Sequence, residues 1–186
     1  MVSRDRAQTA YLSAPCDSQR YTLNVGPTNG VDEQNAGPAG AVLGILDDGR
    51  VVYADEARDD FTMLVGDLAG APEPVTSPGG PVDLDEAHEL VAGVEGTEDS
   101  PLTTLAWHLA TGDVTWRGAQ GAGTTWIPTR FSPDGLHLLA TADDGMGLRN
   151  GFLDAATGAY VSDFELPREV RIHDLAGRTT STSWSR

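Results

Sequence analysis

From Ala41 onward the apolar residues fall in runs of four to seven, separated by turn dipeptides rich in Gly, Asp and Pro. No window of a dozen residues holds the i, i+3, i+4, i+7 pattern of an amphipathic helix. The best helical stretch, Asp83 to Val91, is single and short. Short runs with this punctuation predict an all-β chain. Upstream the texture differs. Residues 1–20 mix charge, small polar and apolar residues without a sustained period and read as a leader. Tyr21 to Val25 alternates as one candidate strand, and Gly26 to Gly40 has the Gly, Pro, Asn and Asp content of a linker or long loop.

The runs repeat. Asp47-Asp48-Gly49 leads into Arg50-Val51-Val52-Tyr53-Ala54, and Pro133-Asp134-Gly135 leads into Leu136-His137-Leu138-Leu139-Ala140. Between them, Asp85-Glu86-Ala87 leads more loosely into His88-Glu89-Leu90-Val91-Ala92. A second marker follows each: Asp67-Leu68-Ala69-Gly70, Leu109-Ala110-Thr111-Gly112 and Ala155-Ala156-Thr157-Gly158. Their closing glycines are 42 and 46 residues apart, a period that fits four short strands. In the last unit Trp126 to Phe131 alternates as a strand, with Ile127, Thr129 and Phe131 expected on one face. Ser132-Pro133-Asp134-Gly135 is a tight turn in which Pro presets φ and Gly accepts φ > 0. Leu136 to Ala142, Leu148 to Asp154 and Ala159 to Phe164 complete a meander.

Phe131-Ser132-Pro133-Asp134-Gly135 and the strand after it resemble the strand-turn-strand signature of WD40-type and related bacterial β-propeller blades. Asp154-Ala155-Ala156-Thr157-Gly158 resembles the turn after their third strand. Trp107-His108 has the family's tryptophan with His in place of Asp, and Leu153-Asp154 has the Asp with Leu in place of Trp. The full Trp-Asp pair occurs nowhere. The resemblance implies antiparallel four-stranded blades over 41–166 (about 41–76, 82–118 and 124–166), followed by the start of a fourth blade or a tail over 167–186. Propellers close with four to eight blades, so an incomplete propeller is expected. Phe131, Ser132, Pro133, Asp134, Gly135, Trp107, Asp154 and Gly158 are its signature residues. Without the Trp-Asp pair, packing and turns must hold each blade.

Charge narrows the function. Of 186 residues 28 are acidic and 12 basic, a formal charge of −16, and every cation is Arg. The absence of lysine removes the P-loop lysine, Schiff-base chemistry and Ser-Lys dyads. The acidic balance argues against nucleic acid and anionic membranes as partners. The longest apolar stretch, Ala41 to Leu46, is too short for an export segment or a bilayer span. The chain as written reads as cytoplasmic, or extracytoplasmic if a longer parent carries an export or membrane segment. Cys16 is the single cysteine, which excludes an intrachain disulfide. Val, Leu, Ile and Phe number 39, so any core must be thin and spread over small interfaces.

Candidate chemistry is sparse. Asp85-Glu86-Ala87-His88 spells a helicase box, but the phosphate loop that box requires needs a lysine. His88 and His137 follow equivalent turns and could line one rim as a metal or proton-transfer pair. Asp143 and Asp144 with Gly145 offer oxygen ligands to calcium, although no EF-hand pattern is present. The four tryptophans, Trp107, Trp116, Trp126 and Trp184, read as core. No catalytic residue, cofactor or metal site is assigned. The sequence supports a non-enzymatic repeat module that binds a protein or peptide, of basic character given the acidic loops, with self-association through open blade edges. The alternative is a fragment or subunit of a propeller-fold hydrolase or lyase whose channel is lined by acids and His.

Overall fold

The computed structural model of the protein describes residues 1–3, 5–16, 20–54, 63–66, 72–75, 77–96, 102–118, 125–143 and 147–164. Among these residues all regular structure is strand, in four antiparallel sheets. The first sheet contains β1 (Gln8–Ser13), β2 (Thr22–Pro27) and β3 (Gln34–Pro38). The second contains β4 (Ala41–Ile45), β5 (Val51–Ala54), β6 (Met63–Gly66) and β7 (Glu73–Val75). The third is β8 (Gly80–Asp85), β9 (Leu90–Glu95), β10 (Thr103–His108) and β11 (Val114–Arg117). The fourth is β12 (Trp126–Phe131), β13 (His137–Asp143), β14 (Leu148–Asp154) and β15 (Tyr160–Phe164). Strands pair in chain order within every sheet, and the opening strands β4, β8 and β12 lie side by side across the sheets.

Residues 8–38 are therefore not a leader and loop with one strand. Ala10, Leu23 and Val25 are fully buried, so a half-buried sheet forms there. The polar residues that hide it bond the local backbone: Asn35, within β3, accepts the Gly37 N–H at 2.9 Å, and Asn29, in the turn before it, accepts the Val31 N–H at 3.1 Å. The stretch from Asp83 to Val91 is a hairpin rather than a helix. Asp85 pairs with Leu90 across its turn.

Each seam between neighbouring sheets has its own apolar core. Ala10, Leu23 and Val25 meet Ile45, Val51 and Tyr53 at the first seam, and Leu43, Val52, Met63 and Val65 meet Leu84, Val91, Leu105 and Trp107 at the second. At the third, Leu90, Ala92, Ala106 and Trp116 meet Trp126, Phe131, Leu138 and Leu153. Small interfaces between successive sheets suffice because each sheet packs only on its neighbours. Trp107, Trp116 and Trp126 are core residues, as their sequence setting predicts, and Trp184 lies outside the described residues.

The opening strands share a bulge. Register shifts between Val42 and Gly44 in β4, between Pro81 and Asp83 in β8, and between Pro128 and Arg130 in β12. One extra residue turns the following side chains to the other face. In β12 this makes Trp126, Pro128 and Phe131 the buried set, while Ile127 and Thr129 are only half-buried, so the simple alternation expected for Ile127, Thr129 and Phe131 does not hold. The bulges also make Ile45, Leu84 and Phe131 equivalent positions, paired with Val51, Val91 and Leu138.

Candidate interaction surface

Alternating strand direction brings the turns after the first and third strands of the second, third and fourth sheets to one end. That end holds the turns at 46–50, 86–89, 109–113, 132–136 and 155–159. The acids of these turns have two kinds of work, holding the seams and facing solvent.

The third sheet holds both neighbours through carboxylates. Asp83, buried, accepts the Phe131 N–H of the fourth sheet at 2.8 Å. Glu86 accepts the Ile45 N–H of the second sheet at 3.2 Å. These N–H groups occupy equivalent positions, so the middle sheet satisfies the same donor on either side. A Cβ on Gly44 would stand 2.7 Å from the Glu86 carboxylate, so a larger residue there would press on the side chain that holds the Ile45 N–H. Burial raises the Glu86 pKa above its ordinary value, helped by Asp83 and Asp47 and opposed by the Ile45 N–H and by Arg130.

Asp85 and His88 form a second junction. Asp85 is buried, and its Oδ2 lies 2.6 Å from His88 Nδ1. A Cβ on Gly135 would run into both side chains, so the Ser132–Gly135 turn seats its glycine on this pair. His88 also lines, with Glu89, His108, Thr111 and Asp113, an open cavity of about 470 Å³ at the turn end. His137 opens β13, pairs with Asp154, and packs edge-on against Phe152 at 6.0 Å. The position equivalent to His137 is Leu90, not His88, because Val91 and Leu138 correspond. The two histidines therefore occupy different positions relative to their turns.

The signature residues fall where their turns require. Ser132 Oγ donates to Asp134 Oδ1 at 2.5 Å, the Leu136 N–H donates to the same oxygen, and Gly135 takes φ 70°. The Ser132 hydroxyl, then the Leu136 N–H, hold the Asp134 carboxyl below its usual pKa. Trp107 and Leu153 occupy equivalent places in the third strands, paired with Val91 and Leu138. Asp154 accepts both the N–H and the hydroxyl of Thr157, at 2.9 and 2.7 Å, pinning the turn that ends at Gly158. Against Gly158 lies Trp116 of the third sheet, whose Nε1 donates to the Ala155 carbonyl at 2.9 Å.

The solvent-facing acids are Asp5, Asp47, Asp48, Asp113 and Asp134, with Glu89 half-buried. Arg50 is tied to Asp48 at 2.6 Å and approaches Glu89 at 3.8 Å. A second cavity, lined by Ser3, Asp5, Gln8 and Leu46 to Gly49, joins the first sheet to this end. Asp143 closes β13, and Asp144 lies outside the described residues. Among the described residues no three His, Cys, Asp or Glu are grouped to hold a metal ion, and no helix is long and apolar enough to cross a membrane. Cys16 is exposed.

Sequence reading missed one element of this end. Ser3, Asp5, Arg6 and Gln8 repeat the geometry of Ser132, Asp134, Gly135 and His137. The Ser3 N–H donates to the Gln8 carbonyl at 2.9 Å, as Ser132 does to His137 at 2.8 Å. Ser3 Oγ donates to Asp5 Oδ1 at 2.6 Å. Arg6, at φ 60°, stands where Gly135 stands. The Ser-x-Asp spacing ahead of a strand is the shared signal.

No protein family matches the sequence, and no curated protein matches it. Solved structures do share the fold. A TolB-like protein of Agrobacterium tumefaciens aligns with TM-score 0.64 and 15% identity over 87% of this chain and 62% of its own. TolB of Acinetobacter baumannii aligns with TM-score 0.60 and 20% identity over 83% of this chain and 41% of its own. The β-propeller domain of the Trilobed protease from Pyrococcus furiosus aligns with TM-score 0.56 and 11% identity over 91% and 57%. The fold is that of a partial β-propeller. The chain spans less than two thirds of these structures.

Proposed function

We propose that this chain is a non-enzymatic propeller module that binds a basic protein or peptide at its turn end. The observation that carries the reading is the exposure of Asp5, Asp47, Asp48, Asp113 and Asp134 on turns joined to packed sheets. Loops set on such a scaffold carry recognition, and a like-signed patch steers an oppositely charged partner. The deeper acids, Asp83 and Glu86, are committed to holding the seams. Self-association through the open edges of the outer strands β7, β11 and β15 belongs to the same reading.

Replacement of Asp47, Asp113 and Asp134 by Asn tests it, because each change keeps a side-chain acceptor while removing charge. Basic proteins captured from a cell extract by the wild type should be lost from the variant and released by salt. Equal capture by both chains would overturn the reading.

A further inference from the structure

We propose that the open cavity between the two turn-end loops of the third sheet receives the guanidinium of an arginine side chain on the basic partner, an assignment that rests on the turn-end binding proposed above. Pairing within the third sheet brings these loops together. His108 lies opposite Leu90 across β9 and β10, and the Leu109 N–H donates to the Glu89 carbonyl at 2.8 Å. The turn at 86–89 is thereby held against the turn at 109–113, which the Gly112 N–H closes on the His108 carbonyl at 2.8 Å. Between them lies the cavity of about 470 Å³ whose wall includes His88, Glu89, His108, Thr111 and Asp113.

The polarity of this wall selects a donor. A carboxylate only accepts hydrogen bonds, so Asp85, buried and 2.6 Å from His88 Nδ1, places the proton of the neutral ring on Nδ1. Nε2 is left as a bare acceptor on a side chain that is 61% exposed. The other Asp85 oxygen takes the Ala87 N–H at 3.1 Å, and Gly135 packs against the pair, so the ring is held in this orientation. Glu89 and Asp113 add carboxylates to the same wall. Asp113 is exposed, and Glu89 meets Arg50 only at 3.8 Å, because Asp48 holds that guanidinium at 2.6 Å.

The spacing of these acceptors distinguishes among cations. Among the described residues no three His, Cys, Asp or Glu are grouped to hold a metal ion, so the acceptors of this cavity suit a cation that spreads its donors. A guanidinium carries its N–H groups in a planar fork, whereas an ammonium is a compact, strongly hydrated point charge. Ala87 and Ala110 complete the wall, and their small side chains leave room for the methylene stem of an arginine.

The test is NMR titration of the imidazole nitrogens of the isotope-labelled full chain at about pH 8, above the ordinary histidine range. The probes are acetyl-Gly-Arg-Gly-amide and the same peptide with citrulline or lysine in place of arginine. The free chain should show His88 protonated on Nδ1. The arginine peptide should shift His88 Nε2 and saturate, the uncharged citrulline peptide should leave it unmoved, and the lysine peptide should bind several-fold more weakly. Asp85→Asn keeps an acceptor for the Ala87 N–H but turns an amide donor toward Nδ1, which moves the ring proton to Nε2. Arginine affinity should then fall about tenfold or more, the loss of one hydrogen bond to a charged group. If that variant fails to fold, the peptides on the unaltered chain decide alone. The proposal is overturned if His88 of the free chain carries its proton on Nε2, if Nε2 ignores the arginine peptide, if citrulline or lysine serves equally well, or if folded Asp85→Asn binds arginine as tightly as the wild type. A free peptide reports on the cavity separately from protein capture. Capture that depends on Asp47, Asp113 and Asp134 without a response at His88 keeps the turn-end reading and removes the arginine site, and a response at His88 without capture removes the reading and leaves the site.

Discussion

The carboxylate of Asp83 reaches across the third seam to the backbone N–H of Phe131, 2.8 Å away, and both residues are buried. A buried donor left without an acceptor costs roughly 1–3 kcal/mol. Asp83→Ala should lower stability by about that amount, a fall in Tm of several degrees for a chain of this size. Asp83→Asn, which keeps an acceptor oxygen, should lose less. Equal losses in thermal unfolding would assign the effect to something other than this bond.

Glu86 makes the matching bond to Ile45, and its pH behaviour has a definite sign. Its pKa is raised above the ordinary 4.5 by burial, Asp83 and Asp47. A carboxyl harder to ionise in the folded than in the unfolded chain contributes its full stability below the ordinary value and loses it as pH rises through the raised one. Glu86→Gln keeps the acceptor and removes that loss. The variant should gain on the wild type as pH increases upward from about 4.5 in denaturant titrations. A constant difference across pH would contradict the assignment.

Two equivalent turn positions should respond in opposite directions. Gly135 and Arg6 both take a left-handed conformation, at φ 70° and φ 60°. Arg6→Gly relieves a conformation that costs an L-residue about 1 kcal/mol and should raise stability slightly. Gly135→Ala adds that cost and drives a Cβ into Asp85 and His88. It should destabilise by roughly 2 kcal/mol or more. Changes of the same sign in the two variants would mean that the turns are not equivalent.

Trp116 closes the same seam through its indole. Trp116→Phe keeps an aromatic ring against Gly158 but removes the donor to Ala155. The Ala155 carbonyl loses its indole partner, and the expected cost is about 1–3 kcal/mol, read as a lower Tm. Unchanged stability would show that packing alone fixes this seam.

The period of the turns made the fourth sheet legible almost strand by strand, because Ser132–Gly135 and Ala155–Gly158 state their geometry in residue types. The first sheet was hidden for the converse reason. Its turn uses Arg6 where the repeat has Gly, and its third strand, Gln34–Pro38, contains no residue of strong β propensity. The bulges were also invisible. Pro81 and Pro128 stand beside two of them, but only pairing shows the side to which later residues turn. Seam contacts such as Asp83 with Phe131 join residues 48 apart, and no local pattern encodes them. The acidic turns were legible as charge, though not which acids are buried fasteners and which face solvent.

The absence of lysine from the chain allows a direct test of the turn end. Carbodiimide coupling joins carboxylates to amines, so side-chain adducts between chain and partner arise from partner lysines alone. With captured basic protein bound, peptide mapping should place the couplings at Asp47, Asp48, Glu89, Asp113 and Asp134, with Glu95 and Asp163 unmodified. Couplings concentrated at Glu95 and Asp163, or spread evenly over all exposed acids, would contradict binding at the turn end.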